Sequence, residues 1–366
     1  MTATPPDGAV PVRIEVPAVY CPVPYAIHPE AIRLESRSVA WLDRFGLGRD
    51  QQWVAAINCG EAAALTLPAV PVDIAQIYSD LCYLALAIDD APVGSGPQAL
   101  EGVLAYMAGY VPRVVYTLKV PDAGVLEEAH PFEAPWIDLA HRIHARTTPG
   151  QTAHFAEAVR DWLGGMLWEE TNPAGQVPSI NTYVARRISS MGAFTAAALV
   201  AAATAVTVDE RDMPPVQALR GAATLLIIMD NDVFSFGRES GEANPASRNL
   251  VHLLAHQGLA TDQAVAEVLV LRDQVMRLFV DLSDQVKTSG SPQLRDYLTG
   301  LSHLVRGALD WHLRERTHRY AVADGPLVSH AGITDQPPGQ VGQPPALPAI
   351  RWWWDHLDAP RSSLLR

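Results

Sequence analysis

Apolar residues three and four positions apart recur through most of this chain, and this spacing restricts the fold more than any other feature of the sequence. The pattern starts near Ile32 and is clearest in the stretches 71–90, 151–170, 179–207, 214–239 and 260–287. Proline and glycine punctuate it, and we find no alternating series of the kind that marks β-strands. The sequence therefore predicts an all-α fold, built as a single-domain helical bundle.

Both ends of the chain depart from this pattern. Residues 1–30 are rich in proline and predict an extended N-terminal arm. Residues 31–323 form the predicted single helical domain, because no change of composition divides them. Residues 324–366 predict a Pro/Gly-rich linker that leads into a Trp-rich segment, "RWWWDHLDAPR". We expect that segment to be a short helix that docks its indoles on the body.

Charge and composition exclude several classes of protein. A net charge of −13 argues against nucleic acid and anionic membranes as partners, because both bind basic surfaces. The three cysteines lie far apart without ligand spacing, and the N-terminus lacks the features of a secretory signal, so we expect a cytoplasmic protein. The longest uncharged run, 192–208, is short for a membrane span of about 20 residues and predicts a buried helix instead.

One apolar helix, 214–239, ends in a row of oxygen-bearing side chains. Asn231, Ser235 and Glu239 are spaced i, i+4, i+8, so they drift by only about 80° around the helix and face one way. An amide oxygen, a hydroxyl and a carboxylate form a hard-oxygen set suited to Mg²⁺. The alternative interpretation is a polar last turn that emerges into solvent.

A second apolar helix, within 79–94, ends in Asp89 and Asp90 just before Pro92. Carboxylates are disfavoured at the negative C-terminal end of a helix, by about 0.3–1 kcal/mol each. Taken alone, this pair is most simply a solvated helix end. Two acidic ends on two very apolar helices make sense together if cations bind between them.

These residues carry a resemblance to a known family. "NDVFSFGRE" (231–239) matches the N-D-x-x-S-x-x-x-E metal motif of bacterial class I terpene synthases, and Asp89-Asp90 resembles the aspartate-rich motif of that family. "YVARRISSMG" (183–192) is similar to its diphosphate-sensing segment, and Arg319-Tyr320 to its C-terminal Arg-Tyr pair. One departure is that Val93 and Gly94 stand where the family usually has a third acid.

The resemblance implies the class I terpenoid synthase fold with a central apolar cavity. It also implies an acyclic isoprenyl diphosphate as substrate, farnesyl diphosphate first and geranylgeranyl diphosphate next. The carbocation would be cyclised to a terpene hydrocarbon or alcohol with release of diphosphate. The implied cofactor is Mg²⁺, three ions in all, held by Asn231, Ser235 and Glu239 on one side and by Asp89 with Asp90 on the other. A homodimer is compatible with the resemblance.

The resemblance also assigns roles around the diphosphate. Arg187 is our choice for the sensor, with Arg186 as the alternative, and the carbonyl of Met191 is expected to face the cation. Further contacts to the diphosphate are expected from Arg238, Arg319 and Tyr320.

Aromatic faces can stabilise a carbocation without attacking it, so Tyr83, Phe194 and Trp311 are the candidate pocket residues. The simpler interpretation of each is an ordinary core residue. Two alternatives to a cyclase remain: an isoprenyl diphosphate-binding protein that does not cyclise, and a prenyltransferase on the same fold. A prenyltransferase favours two aspartate-rich motifs, and the Asn-Ser-Glu row argues against it.

Overall fold

Helices account for most of the residues that the structure describes, as the sequence predicted. The computed structural model describes residues 14–48, 51–90, 97–170, 176–241, 244–314, 328–339 and 344–357. In the first half the helices are α1 (Ala31–Phe45), α2 (Gln51–Ile57), α3 (Cys59–Thr66), α4 (Val72–Asp89), α5 (Pro97–Lys119), α6 (Ala134–His144) and α7 (Pro149–Glu170). The second half contains α8 (Ile180–Ser190), α9 (Ala193–Thr204), α10 (Val208–Arg211), α11 (Pro214–Glu239), α12 (Leu250–His256), α13 (Thr261–Ser289), α14 (Pro292–Leu313) and α15 (Pro348–Arg351).

Helix α11 lies at the centre of the bundle. It begins with prolines at its first two positions, which favour a helix start, and it is buried almost continuously from Pro215 to Gly237. Helices α8, α9, α12, α13 and α14 all pack against it. Because partners surround most of the helix, water reaches mainly its two ends: Pro214 and Gln217 are exposed at its start, and Arg238 and Glu239 are half-buried at its end.

The stretch 179–207, predicted as one helical run, is divided into two helices. The chain turns at Gly192, which adopts a left-handed φ of 76° and caps the start of α9. Residues with a β-carbon rarely adopt that conformation, so the glycine permits the turn. Helices α8 and α9 are bent by 47° relative to each other. Among the described helices none alone is long and apolar enough to cross a membrane, and only this bent pair meets both criteria together.

Helices α3 and α14 approach so closely that their backbones touch at Gly307. A β-carbon added at Gly307 would overlap the backbone carbonyl of Leu65, which has no freedom to move aside. By contrast, a β-carbon at Gly164, in the middle of α7, would meet no atom within 4 Å.

The Gly307→Ala substitution should therefore lower the free energy of unfolding by about 1–3 kcal/mol, because the two helices must separate to admit a methyl group. Gly164→Ala is the matched control, and we expect it to raise stability by about 0.5–1 kcal/mol because alanine favours a helix interior. Urea denaturation of both variants measures the difference. Equal effects at the two positions would contradict the close approach of α3 and α14.

Two short parallel ladders join the ends of the chain. Strand β1 (Ile14–Val16) pairs with β3 (Val328–His330), and β2 (Val19–Tyr20) pairs with β4 (Ile333–Thr334). The N-terminal arm is thus in contact with part of the segment 324–366 that was predicted to begin as a linker. The sequence did not predict these strands, because two or three residues are too few to show an alternating pattern.

The Trp-rich segment packs on the bundle beyond β4. Trp353 is 2% exposed, and its indole covers Gly221 of α11 so closely that a β-carbon there would lie 2.8 Å from the ring. The Ala349 amide donates to Asn181 Oδ1 at 2.8 Å, and Gln285 Nε2 donates to the His356 carbonyl at 3.1 Å. These contacts fasten the tail to α8, α11 and α13.

A buried ion pair links α11 to α13. Arg272 Nε lies 2.5 Å from Asp230 Oδ1, and the two side chains are 0% and 2% exposed. The same guanidinium donates to the carbonyl of Tyr20 at 2.6 Å and so reaches the N-terminal arm as well. Such a pair must be complete, since either charge alone would be costly to bury.

Candidate active site

The acidic ends of α4 and α11 meet at one end of the bundle. Arg238 Nη2 of α11 donates to Asp90 Oδ1 at 3.0 Å, and Trp53 Nε1 donates to Asp90 Oδ2 at 2.9 Å. Asp90 is the C-cap residue of α4, where the helix dipole disfavours a carboxylate, and Arg238 compensates its charge. Asp89, one residue earlier, is exposed. The two helix ends predicted to face each other are therefore adjacent in space.

Asn231, Ser235 and Glu239 form the predicted metal row, and Ser235 is its most informative residue. Its side chain is completely buried, and its hydroxyl oxygen has no hydrogen-bond partner in the described part of the chain. Asn231 and Glu239, one turn on either side, are half-buried. A buried hydroxyl is normally satisfied, so one without a partner, in line with an amide and a carboxylate, fits a site for a hard cation.

The other two acids of this turn serve a structural purpose. Asp230 faces Arg272 in the ion pair described above. Asp232 accepts from the Tyr183 hydroxyl at 2.6 Å and from the Leu250 amide at 3.0 Å. Burial raises the pKa of Asp232 to about 7, although the nearby Arg187 opposes the shift. The two acids thus face different neighbours, Asp230 facing α13 and Asp232 facing α8 and α12. The row of Asn231, Ser235 and Glu239 keeps a face of its own, as its i, i+4, i+8 spacing predicts.

Arg187 lies beside α11, between two acidic side chains, Glu169 and Asp232. Its Nη1 lies 3.3 Å from Glu169 Oε1, and its Nη2 lies 3.9 Å from Asp232 Oδ1. The Ser190 hydroxyl also donates to Glu169. Met191 caps the end of α8, and its Sδ lies 3.9 Å from Arg187 Nη2.

Arg186, the alternative sensor, points to a different place. Its Nη2 donates to the carbonyl of Ser247, in the 3₁₀ turn Pro245–Ser247, and its side chain is 1% exposed. Arg187 instead reaches Asp232, the immediate neighbour of Asn231. Of the two arginines, Arg187 is therefore the one whose guanidinium lies beside the metal row.

The three aromatic candidates occupy different surroundings. The Tyr83 hydroxyl donates to Glu35 Oε1 at 2.6 Å, and its ring lies 5.8 Å from that of Trp53. Trp311 Nε1 donates to the Ile57 carbonyl at 3.0 Å. Phe194 is half-buried, with the guanidinium carbon of Arg220 5.2 Å from its ring centre. The Tyr83 side chain is completely buried, and it packs where α4 meets α1 and α2.

Sequence analysis missed three residues that contact predicted site residues, namely Arg187, Glu239 and Asn231, from other parts of the chain. They are Glu169 of α7, Asn249 before α12, and His312 of α14. His312 Nδ1 lies 2.7 Å from the Ala308 carbonyl, which identifies that nitrogen as the protonated one and leaves Nε2 to accept from Asn231 Nδ2 at 3.4 Å. Burial lowers the pKa of His312, although Asp230 opposes the shift. Asn249 alone left a local signal, since it precedes an apolar run as helix caps do.

Arg319 and Tyr320, the predicted Arg-Tyr pair, lie outside the described residues, and so do Val93 and Gly94.

Comparison with known proteins identifies the family. The family described as terpene synthase family 2, C-terminal metal binding, matches residues 81–278. Phomopsene synthase of Allokutzneria albata is 32% identical over 352 residues, which cover 94% of this chain and 98% of that protein. This chain belongs to the bacterial class I terpene synthases. The predicted family is confirmed, and the family's description supports a metal cofactor for the synthase.

Other relatives of the synthase are named for a product class or a substrate. Diterpene cyclase DtcycA of a Streptomyces species is 30% identical, over 96% of the synthase and 99% of the cyclase. A (+)-T-muurolol synthase of Streptomyces clavuligerus, described as cyclising (2E,6E)-farnesyl diphosphate, is 28% identical over 92% and 81% of the two chains.

A solved structure confirms the predicted fold of the synthase. The crystal structure of the SVS_A2 protein from ancestral sequence reconstruction superimposes with a TM-score of 0.75 at 31% identity. The match covers 96% of the synthase and 100% of that chain.

Proposed function

We propose that the synthase is a Mg²⁺-dependent cyclase that ionises an acyclic isoprenyl diphosphate and closes the carbocation into a terpene hydrocarbon or alcohol. Family membership supports the reaction class. The observation that carries the metal site is the buried hydroxyl of Ser235, which has no hydrogen-bond partner among the described residues. It is aligned with Asn231 and Glu239 at the end of α11 that Arg238 joins to Asp90 of α4. The proposed ligands are the side chains of Asn231, Ser235 and Glu239 on α11, with Asp89 and Asp90 on α4.

The protein residues divide the work between a charged end and a dry interior. Bound Mg²⁺ would neutralise charge on the departing diphosphate, which makes it a better leaving group. Arg187 and Arg238 would donate charge-assisted hydrogen bonds to diphosphate oxygens. In support, Arg187 lies 3.9 Å from Asp232 beside the metal row, and Arg238 lies 3.0 Å from Asp90. The apolar side chains of α4 and α11 would hold the isoprenyl chain away from water, which would otherwise trap the cation.

Substrate length is the finer part of the proposal. One relative is described as cyclising farnesyl diphosphate, and another is a diterpene cyclase. We keep farnesyl diphosphate as the first candidate and geranylgeranyl diphosphate as the second. Both have the same head group, so one metal site could serve either, and they differ only in the length of the apolar chain that the interior must hold.

The test is an incubation of purified protein with geranyl, farnesyl and geranylgeranyl diphosphates. Each is run with Mg²⁺, with EDTA, and with EDTA followed by excess Mg²⁺, and the organic extract is analysed by gas chromatography–mass spectrometry. We expect a cyclic product from one substrate that disappears with EDTA and returns with Mg²⁺. Metal-dependent release of acyclic alcohol alone would favour ionisation without cyclisation. Diphosphate binding without turnover would favour the binding-protein alternative and overturn the proposal.

A further inference from the structure

Asn249 is a completely buried polar residue that the family resemblance did not point to. It is the N-cap of α12, and its Oδ1 accepts from the backbone amides of Val251 at 2.9 Å and His252 at 3.3 Å. An oxygen that accepts from two backbone amides fixes the orientation of the side-chain amide, so the nitrogen must point the other way.

The amide nitrogen of Asn249 holds two groups of α11. It donates to the Asp232 backbone carbonyl at 2.7 Å and to Glu239 Oε2 at 2.8 Å. Both N–H bonds of the amide are therefore used, and both are directed at the turn that carries the metal row. Among the described residues no other group donates a hydrogen bond to the Glu239 carboxylate, so in this part of the chain Asn249 is the residue that orients it.

We infer that Asn249 is a positioning residue for the metal site. Its side-chain amide holds Oε2 of Glu239 and leaves Oε1 free to bind the cation. A long glutamate side chain near a helix end has several rotamers, and ordering it on binding costs free energy. A buried donor that selects one rotamer in advance removes that cost, as outer-shell partners of metal ligands do elsewhere. The inference rests on the proposed function, since it takes Glu239 to be a ligand.

The cap and the positioning role can be separated by substitution. Asn249→Ser and Asn249→Thr both keep an oxygen that caps α12, because serine and threonine are good N-cap residues, but both remove the amide that reaches Glu239. Two capping variants are used so that a folding defect in one leaves the other for measurement. Asn181→Ser is the matched control, because it removes the same amide group from α8, where Asn181 holds the Ala349 backbone of the tail.

The readout is Mn²⁺ affinity in the presence of inorganic diphosphate, followed by electron paramagnetic resonance, with thermal unfolding measured on the same samples. We expect the Asn249 variants to bind Mn²⁺ about 10–100-fold more weakly than the wild type. The control should match the wild type. In a Glu239→Ala background the Asn249 substitution should have no further effect, because the carboxylate it positions is gone.

Three outcomes would count against these ideas, and they are distinguishable. Unchanged Mn²⁺ affinity in folded Asn249 variants overturns the positioning role and leaves the metal site standing. An equal loss in the Glu239→Ala background also overturns it, since the effect would not act through Glu239. Absence of Mn²⁺ binding by the wild-type protein with diphosphate would overturn the proposed metal site itself, and the positioning role with it.

Discussion

Replacing Asn231 with alanine is expected to abolish Mg²⁺-dependent release of diphosphate, lowering kcat/KM by at least about 100-fold. Loss of an outer-shell partner of a metal ligand typically costs 10–100-fold, and loss of a ligand itself should cost at least the upper end of that range. Asn231 lies on the face that carries Ser235 and Glu239, and its amide also meets His312. The measurement is release of inorganic diphosphate at saturating Mg²⁺, with the preferred isoprenyl substrate.

Gln217→Ala is the matched control for this substitution. It removes an amide from the exposed face near the start of the same helix, where Gln217 Nε2 donates to the Asp212 carbonyl at 2.8 Å. We expect that variant to keep nearly all of its activity. If Asn231→Ala retained turnover and Mn²⁺ affinity while Gln217→Ala behaved as the wild type, Asn231 would not be a ligand and the metal row would have to be reassigned.

The second large effect is expected on stability. Arg272→Met removes the only partner shown for the buried Asp230 carboxylate among the described residues and also the donor to the Tyr20 carbonyl. An uncompensated charge in the core typically costs about 3–5 kcal/mol, which is a large part of the stability of an ordinary domain. Urea denaturation followed by circular dichroism measures the loss.

Two companions make this prediction specific. Arg277→Met, on the same helix, breaks only the partly exposed pair with Asp281 and should change stability by no more than about 0.5 kcal/mol. The double variant Asp230→Leu/Arg272→Met removes both charges, so it should recover much of the loss. A double variant as unstable as Arg272→Met would show that the cost comes from lost packing or from the arm contact rather than from the unpaired carboxylate.

The sequence was a good guide to the long helices. The stretches 71–90, 151–170, 214–239 and 260–287 correspond to α4, α7, α11 and α13, with bounds that differ by no more than two residues. Their periodicity extends over several turns, so local sequence carries the signal. The break at Gly192 was missed because apolar residues at helical spacing continue on both sides of it, and one glycine is a weak indication of a turn.

The candidate site was most predictable where one helix supplies several of its residues. Asn231, Ser235 and Glu239 share a face because α-helix geometry requires it. The meeting of α4 with α11 was predicted from the unfavourable place of their acids. Glu169, Asn249 and His312 reach the same place from three other parts of the chain. Their positions depend on tertiary packing that no local pattern encodes, and their contacts with Arg187, Glu239 and Asn231 came only from the structure.

The pairing of the arm with the C-terminal strands has a consequence for the order in which the molecule is assembled. Ser329 Oγ donates to the Ile14 carbonyl across 315 positions of sequence. During synthesis the arm leaves the ribosome about 300 residues before the strands with which it pairs, β3 and β4. The helical bundle can form from neighbouring segments meanwhile, since local contacts form early and long-range strand pairing is slow. Closing the ladders is therefore a late event, and a chain truncated before residue 328 would present an unpaired strand edge to its neighbours.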